Sequence, residues 1–221
     1  VISDNDMNYV IVSGQDFTIE FNKRTGYLER YYVDGTEMLK ENTSVTPNFW
    51  RAPTDNDFGA NLQLRYSVWK SPVIRLQDMS EKVENGIAMV SCDYEIQEIG
   101  KLKLEYEINN VGAIKVTQTM KAEEGREVSD MFRFGMQVVM PKSFNKIQYY
   151  GRGPIENYAD RKSTTFIGLY TQSVDEQFYP YIRPQENGTK SDIRWWNITN
   201  AAGKGLRVTS EEPFSASALH Y

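Results

Sequence analysis

The chain has 221 residues, 30 acidic against 25 basic, a formal net charge of −5, and no basic cluster of the kind that binds nucleic acid. With 40% hydrophobic and 25% charged residues it has the composition of a globular protein, and no apolar run approaches the roughly 20 residues that span a bilayer. The single cysteine, Cys92, excludes an internal disulfide framework.

The first residues, VISDNDMNYV, carry neither the basic nor the apolar region of a signal peptide. Without an initiator Met the chain reads as a fragment of something longer, and its compartment stays open. The aromatic content of 13% fits strands and also fits a sugar site.

In chain order, strands are expected at Tyr9–Ser13, at FTIEF, where Phe17, Ile19 and Phe21 share a face, and at Tyr27–Val33. The Arg24-Thr25-Gly26 turn makes the last two a hairpin. Ala60–Lys70 has Leu62, Tyr66 and Trp69 at helical spacing and is expected to be a short helix ended by Pro72. Ile87–Ile96 follows the Asn85-Gly86 turn. LKLEYEI (Leu102 to Ile108) and IKVTQTM (Ile114 to Met120) alternate about a turn at 109–112, a second hairpin. Ser129–Val139, Lys146–Tyr150, Asp192–Thr199 and Leu206–Ser210 complete the strands. No βαβ rhythm, repeat or linker interrupts them, so residues 1–221 are expected to form one domain, a large antiparallel sandwich or barrel.

Three stretches do not read as strands: Thr46–Gly59, Gly151–Arg161 and Tyr179–Thr189. Each mixes Pro, Gly, Asn, acids, Arg and aromatics, and loops carry function more often than strands. No metal site is expected. Asp55, Asn56 and Asp57 are consecutive, whereas calcium loops use alternate ligands, and such residues in a turn usually bond their own backbone. His220, next to last, is a poor base for a hydrolase triad.

Glu156 and Glu186 are candidate paired carboxylates for glycoside hydrolysis; the alternative, favoured here, is that each pairs with arginine or with loop amides. Arg152, Arg161, Arg183 and Arg194 are available partners, and Asp160–Arg161 and Arg51–Asp55 invite the same reading. Trp50, Trp69, Trp195 and Trp196 are candidates for stacking on a sugar. The adjacent pair must point to opposite faces of a strand, placing one in the core, and Trp50 alternatively anchors its loop. The sequons at Asn42, Asn187 and Asn197 are read as chance.

FWRAPTDNDFG (Phe49 to Gly59), YYGRGPIENYADR (Tyr149 to Arg161) and YPYIRPQENG (Tyr179 to Gly188), in that order, resemble the signature of the C-terminal, small-chain domain of glycoside hydrolase family 2 β-galactosidases, and the resemblance spans the chain. It implies a supersandwich like that of galactose mutarotase. It also implies that the catalytic glutamates and most metal ligands lie in a separate (β/α)-barrel domain, so that this chain is non-catalytic, holds no cofactor, and makes Glu156 and Glu186 structural. The implied partners are the barrel, a galactoside through the parent enzyme, and other copies in a homo-oligomer; neither nucleic acid nor membrane is expected.

The resemblance further implies that a glycine- and aspartate-rich segment ending in a sugar-lining tryptophan follows the equivalent of FSASALHY. The chain is therefore expected to be C-terminally truncated, and marginally stable or self-associating. The stretch around Trp69 and Ser71 corresponds by position to a mobile segment near the aglycone. Trp69, Ser71, Arg152, Glu156, Asn157, Gln185, Glu186, Asn187, Trp195 and Trp196 are the carbohydrate-contact candidates. Arg51, Asp55, Asn56, Asp57, Asp160 and Arg161 are read as loop structure. Two rivals stand beside this reading: a stand-alone sugar-binding module, and an aldose 1-epimerase, which shares the fold but pairs a glutamate with histidines.

Overall fold

The computed structural model describes residues 1–220 and is built almost wholly of antiparallel strands, with no closed barrel among them. It divides into two compact units. One comprises Val1–Arg51 with Ala60–Met140; the other comprises Ala52–Gly59 with the residues from Pro141 onward.

The first unit is a sandwich. Its first sheet runs in the order β1 (Ile2–Ser3), β2 (Tyr9–Ser13), β3 (Phe17–Asn22), β4 (Leu28–Val33), β5 (Thr36–Glu37). A short β6 (Thr46–Asn48) follows. The second sheet is made by β7 (Ile74–Glu84), β8 (Ile87–Ile96), β9 (Gly100–Ile108) and β10 (Ile114–Ala122), in the spatial order β10-β9-β8-β7. Alternate side chains supply the core: Val10, Val12, Phe17, Ile19 and Phe21 from one sheet, and Val90, Cys92, Tyr94, Ile96, Leu102, Leu104, Tyr106 and Ile108 from the other. Each such burial contributes roughly 1.5–3 kcal/mol. Phe21 meets Tyr106 edge to face at 4.8 Å, and the Tyr31 hydroxyl donates to the Gly112 carbonyl at 2.7 Å, tying the sheets together.

Both expected hairpins are present. Gly26 turns the first with φ +71°, a left-handed conformation that glycine adopts without strain. Three expectations change. Ser129–Val139 yields only β11 (Gly135–Gln137), paired with β6 inside a stretch read as loop. The helix over Ala60–Lys70 breaks into Leu62–Arg65 and a 3-10 turn, Ser67–Trp69, because Asn61 starts it from a left-handed backbone and Tyr66 leaves the helical region. A further single turn, Asp55–Gly59, lies within the first polar stretch.

The second unit carries one sheet in the order β13-β12-β14-β15, from β12 (Lys146–Gly153), β13 (Phe166–Ser173), β14 (Lys190–Thr199) and β15 (Gly205–Ala216). β12 thus runs three residues into the second polar stretch. Ile147, Tyr149, Val174, Ile193 and Trp196 form its core. The tryptophans of β14 do part: Trp196 is buried and stacked on Tyr149 at 5.1 Å, while Trp195 lies on the opposite face. Asp192, at φ +52°, sits in an irregularity of the β14–β15 ladder that re-aims the start of β14.

Candidate functional site

Within the second unit the polar stretches are fastened by side chains rather than by ladders. Asn157 is fully buried and spends its whole amide. Its Nδ2 donates to the carbonyls of Arg152 (3.0 Å) and Ile155 (3.1 Å), and its Oδ1 accepts from the backbone N–H and the hydroxyl of Ser191. Two donors and two acceptors are the most an asparagine side chain offers. The residue sits just past a cis Gly153–Pro154 bond, where the chain leaves β12 and its backbone needs partners that a ladder no longer supplies.

Glu156 joins the second stretch to the third. One oxygen accepts from Arg161 Nη2 at 2.6 Å and from the Tyr181 hydroxyl; the other accepts from the Gly188 amide at 3.0 Å. Gly188 is bound to be glycine there: its φ is +79°, and an added Cβ would meet the Gln177 carbonyl oxygen at 2.8 Å. Arg161 therefore pairs with Glu156 rather than with its neighbour Asp160, which is exposed. Adjacent residues in a tight turn point apart, and five residues of spacing brings the guanidinium back onto the carboxylate.

The third stretch is fixed in the same way. Buried Glu186 accepts from the Thr189 hydroxyl at 2.9 Å, and Asn187 bridges the Tyr179 amide (3.3 Å) and the Gln185 carbonyl (3.1 Å). Gln185 makes a two-way contact with Asp55, donating to its carboxylate and accepting from its backbone N–H, both at 3.2 Å. Asp55 also faces Arg183 at 3.7 Å, and that guanidinium lies over the Phe58 ring at 3.9 Å. Asp57 accepts from the Thr54 amide (2.7 Å) and hydroxyl (3.0 Å), capping the single helical turn in which exposed Asn56 lies.

Three residues of this cluster, Lys190, Asp192 and Tyr158, were not singled out as candidates in the sequence. Lys190, only 2% exposed, donates to Gln177 Oε1 at 2.9 Å and to the Gly188 carbonyl at 3.1 Å. Burial pushes its pKa from 10.5 down to about 8, with nearby Glu156 pulling the other way. Asp192 accepts from Arg152 Nε at 2.8 Å and faces Lys162 at 3.3 Å; the Arg152 hydrogen bond holds its carboxyl below the usual 3.8 against the effect of burial. Arg152 also donates to the carbonyls of Thr165 (2.6 Å) and Lys162 (3.3 Å), closing the loop between β12 and β13. Tyr158 is pushed up by burial and then by the charges of Glu156 and Glu186.

The remaining candidates lie elsewhere. Trp69 belongs to the first unit's core, 1% exposed, edge-on to Phe49 at 5.3 Å, with its Nε1 donating to the Ser129 carbonyl. Its indole is thus a packed side chain and offers no face to a sugar. Ser71 is on the same unit's surface, in a shallow depression of about 390 Å³ with Val68, Lys70, Pro72 and Val73. Trp50 anchors its segment edge-on to Phe132 at 4.9 Å, and the Arg51 guanidinium lies over the same ring, 4.5 Å from its centroid. Trp196 is core. Trp195 is partly exposed, with Arg207 over its ring at 4.6 Å. His220 Nε2 is 3.1 Å from Asp175.

What these stretches can do chemically follows from that arrangement. The carboxylates of Asp55, Asp57, Glu156 and Glu186 and the side-chain amides of Asn157, Gln185 and Asn187 are engaged by groups of the same unit, which makes a rigid lock. Residues 13–221 match the family model described as the β-galactosidase small chain. The chain belongs to the β-galactosidase small chain family. This small chain is 34% identical over 221 residues to a β-galactosidase of Priestia megaterium and 34% identical to one of Lactobacillus delbrueckii subsp. bulgaricus, in each case over 99% of its own length and 21% of theirs. A β-galactosidase of Halalkalibacterium halodurans is 29% identical over 95% of the small chain and 21% of its own length. The small chain thus spans about a fifth of the length of the curated relatives it matches.

Proposed function

We propose that this small chain is the non-catalytic part of a larger retaining β-galactosidase, and that its motif stretches form a rigid platform against which the catalytic part is braced. The observation that carries this reading is the occupancy of Glu156: three donors hold its two oxygens. A retaining glycosidase instead needs two carboxyl groups open to the sugar, about 5 Å apart. The same stretches turn apolar side chains outward, with Ile155, Tyr179 and Ile182 all exposed and the last completely so. A rigid polar interior with an apolar exterior suits a contact between domains. In this reading the galactoside and the bond-breaking residues belong to the rest of the enzyme.

The test has two parts. The 221-residue chain alone should leave a chromogenic galactoside uncleaved, and turnover persisting after removal of full-length enzyme would refute the reading. In the full-length polypeptide, Glu156→Gln should lower the melting temperature while keeping kcat within about tenfold. A loss of 10³ or more in kcat with an unchanged melting temperature would make Glu156 catalytic, since a missing catalytic group costs on that scale.

A second reading, a sugar-binding module, rests on Trp195, which shares a sheet face with Tyr150. Calorimetry with galactose and lactose decides it. Binding lost on Trp195→Ala would support the module, and no heat would end it.

A further inference from the structure

Many exposed cations of this chain sit against a carboxylate, as Arg30, Lys82, Arg126, Arg161 and Arg183 each do. One face of the second unit's sheet differs. Across β12 and β14 the register sets Tyr150 beside Trp195, Gln148 beside Asn197 and Lys146 beside Thr199. No carboxylate stands in these three rows on any of the four strands, although the chain has 30 acidic residues. Arg207 extends the second row, with its guanidinium 4.6 Å from the centroid of the Trp195 ring, and the Arg194 guanidinium lies 6.0 Å from that of Tyr150. Among the described residues Lys146, Arg194 and Arg207 have no carboxylate partner.

Stacking on a ring occupies one flat side of a guanidinium and leaves its N–H donors pointing outward in its own plane. Arg207 spends none of them on a described residue, and Arg194 gives only Nη1, to the Asp192 carbonyl. A planar carboxylate fits such a fork. The positions around the two rings carry amides and hydroxyls, from Gln148, Asn197, Thr171, Thr199 and Thr209, and these groups donate and accept as sugar hydroxyls do. Asn197 Oδ1, next to Arg207, is covered and has no donor among the described residues, where a buried polar atom normally has one. Turned outward, it would accept from a ligand hydroxyl.

We propose that this Tyr150–Trp195 face binds an acidic oligosaccharide, with Arg194 and Arg207 each taking a uronate carboxylate and the amides and hydroxyls around them taking sugar hydroxyls. Charge complementarity selects an anion: the face is cationic in a chain whose net charge is −5. The wet side chains select a saccharide over a polypeptide, because the buried centre of a protein contact is apolar and Leu169 is the one aliphatic side chain in the three rows. The ligand also differs from that of the neutral-sugar module above, since Arg207 already covers the Trp195 ring on which a neutral sugar would stack. The proposal shares that reading's face and not its ligands, so a silent titration with galactose or lactose would end that reading and leave this one standing.

Isothermal titration of the full-length polypeptide, and in parallel of the 221-residue chain, with oligogalacturonate and with its methyl ester tests it. Both proteins should bind the free acid and not the ester, and added salt should weaken the binding. Arg194→Gln and Arg207→Gln should each weaken it about tenfold with an unchanged melting temperature. Arg207→Lys, which keeps the charge and loses the fork, should weaken it as well, whereas Arg75→Gln, the same loss of charge on β7, should leave it as in the wild type. No binding, equal binding of the ester, or wild-type affinity in the variant lacking both Arg194 and Arg207 would overturn the proposal. So would an equal loss in Arg75→Gln, and so would polyglutamate binding as tightly as oligogalacturonate, which would make the partner an acidic polypeptide. Binding by the 221-residue chain alone would overturn it too, by assigning the face to the rest of the longer polypeptide.

Discussion

Lys190 is the residue whose burial makes the sharpest quantitative demand. A fall in pKa from 10.5 to about 8 means that the protonated side chain is disfavoured in the fold by about 3 kcal/mol, at about 1.4 kcal/mol per pH unit. Below pH 8 that cost is present in full, because folded and unfolded chains both carry the proton. Above pH 8 the folded chain releases it while the unfolded chain keeps it until pH 10.5. The unfolded state then binds more protons, and stability rises with pH. By pH 10 about 2.5 kcal/mol of the cost should be relieved. The measurement is the difference in unfolding free energy between wild type and Lys190→Met, from urea titrations followed by tryptophan fluorescence at pH 7, 8, 9 and 10. The difference is needed because Cys92, pushed up to about 11 by burial, and Tyr27, pushed up to about 12, oppose the trend above pH 9. They are common to both proteins and cancel. At pH 7 the sign of the substitution is open to a second effect, since Met strands Gln177 Oε1 and the Gly188 carbonyl at about 1–3 kcal/mol each. The slope is free of it. Parallel curves between pH 7 and 10 would show that the ammonium is hydrated, and the argument from burial would fail.

Two further outcomes are expected. Arg152→Ala should cost about 1–3 kcal/mol at pH 7 by stranding the Thr165 carbonyl and half of Asp192's partners. Because Asp192 is held below 3.8, wild type should lose this contribution as pH falls through that range, while the variant shows a shallower acid limb in its melting temperature; identical acid limbs would refute the pairing. Gly26→Ala and Gly203→Ala impose the same left-handed backbone strain, with φ of +71° and +77°, but only the first drives a Cβ to 2.4 Å from the Tyr94 hydroxyl. Gly26→Ala should therefore lower stability by about 1–3 kcal/mol more than Gly203→Ala, and equal effects in denaturant titrations would count against that packing.

The elements that were legible in the sequence are those in which one parity of side chain meets one core. β3, β8 and β9 alternate strictly because each has one buried and one wet face. β7 escaped notice for a local reason. Ile74 and Leu76 pack against the core, but the shift before Asp78 moves the next inward residue to Met79, so the apolar positions change parity midway. β13 was missed for a different reason: Phe166, Ile167, Leu169 and Tyr170 occupy both parities, so no alternation exists to be read. Lys190 reads as the polar start of a strand. Only the packing of Gln177 and the third stretch around it reveals a buried ammonium.

Composition located the polar stretches except at their starts, where Thr46–Asn48 and Gly151–Gly153 are strand, and it could not say whether they react or hold. The same residue types serve both ends, because a carboxylate that fixes a loop and a carboxylate that attacks a sugar both want arginine, tyrosine and amide neighbours. What separates them is arithmetic at the acceptor. An oxygen kept for chemistry must have room for substrate, whereas Asn157 fills all four of its positions and Glu156 takes three donors, all from within the second unit. Such saturation matters most where a chain has left its ladder and must still bury its backbone. The order in sequence, a strand end, a cis proline, then Glu156 and Asn157, places the two fasteners at the first positions past β12 where a ladder no longer serves. A loop so held keeps Ile155 and Ile182 in solvent without collapsing onto its own core, which is the property a bracing surface requires.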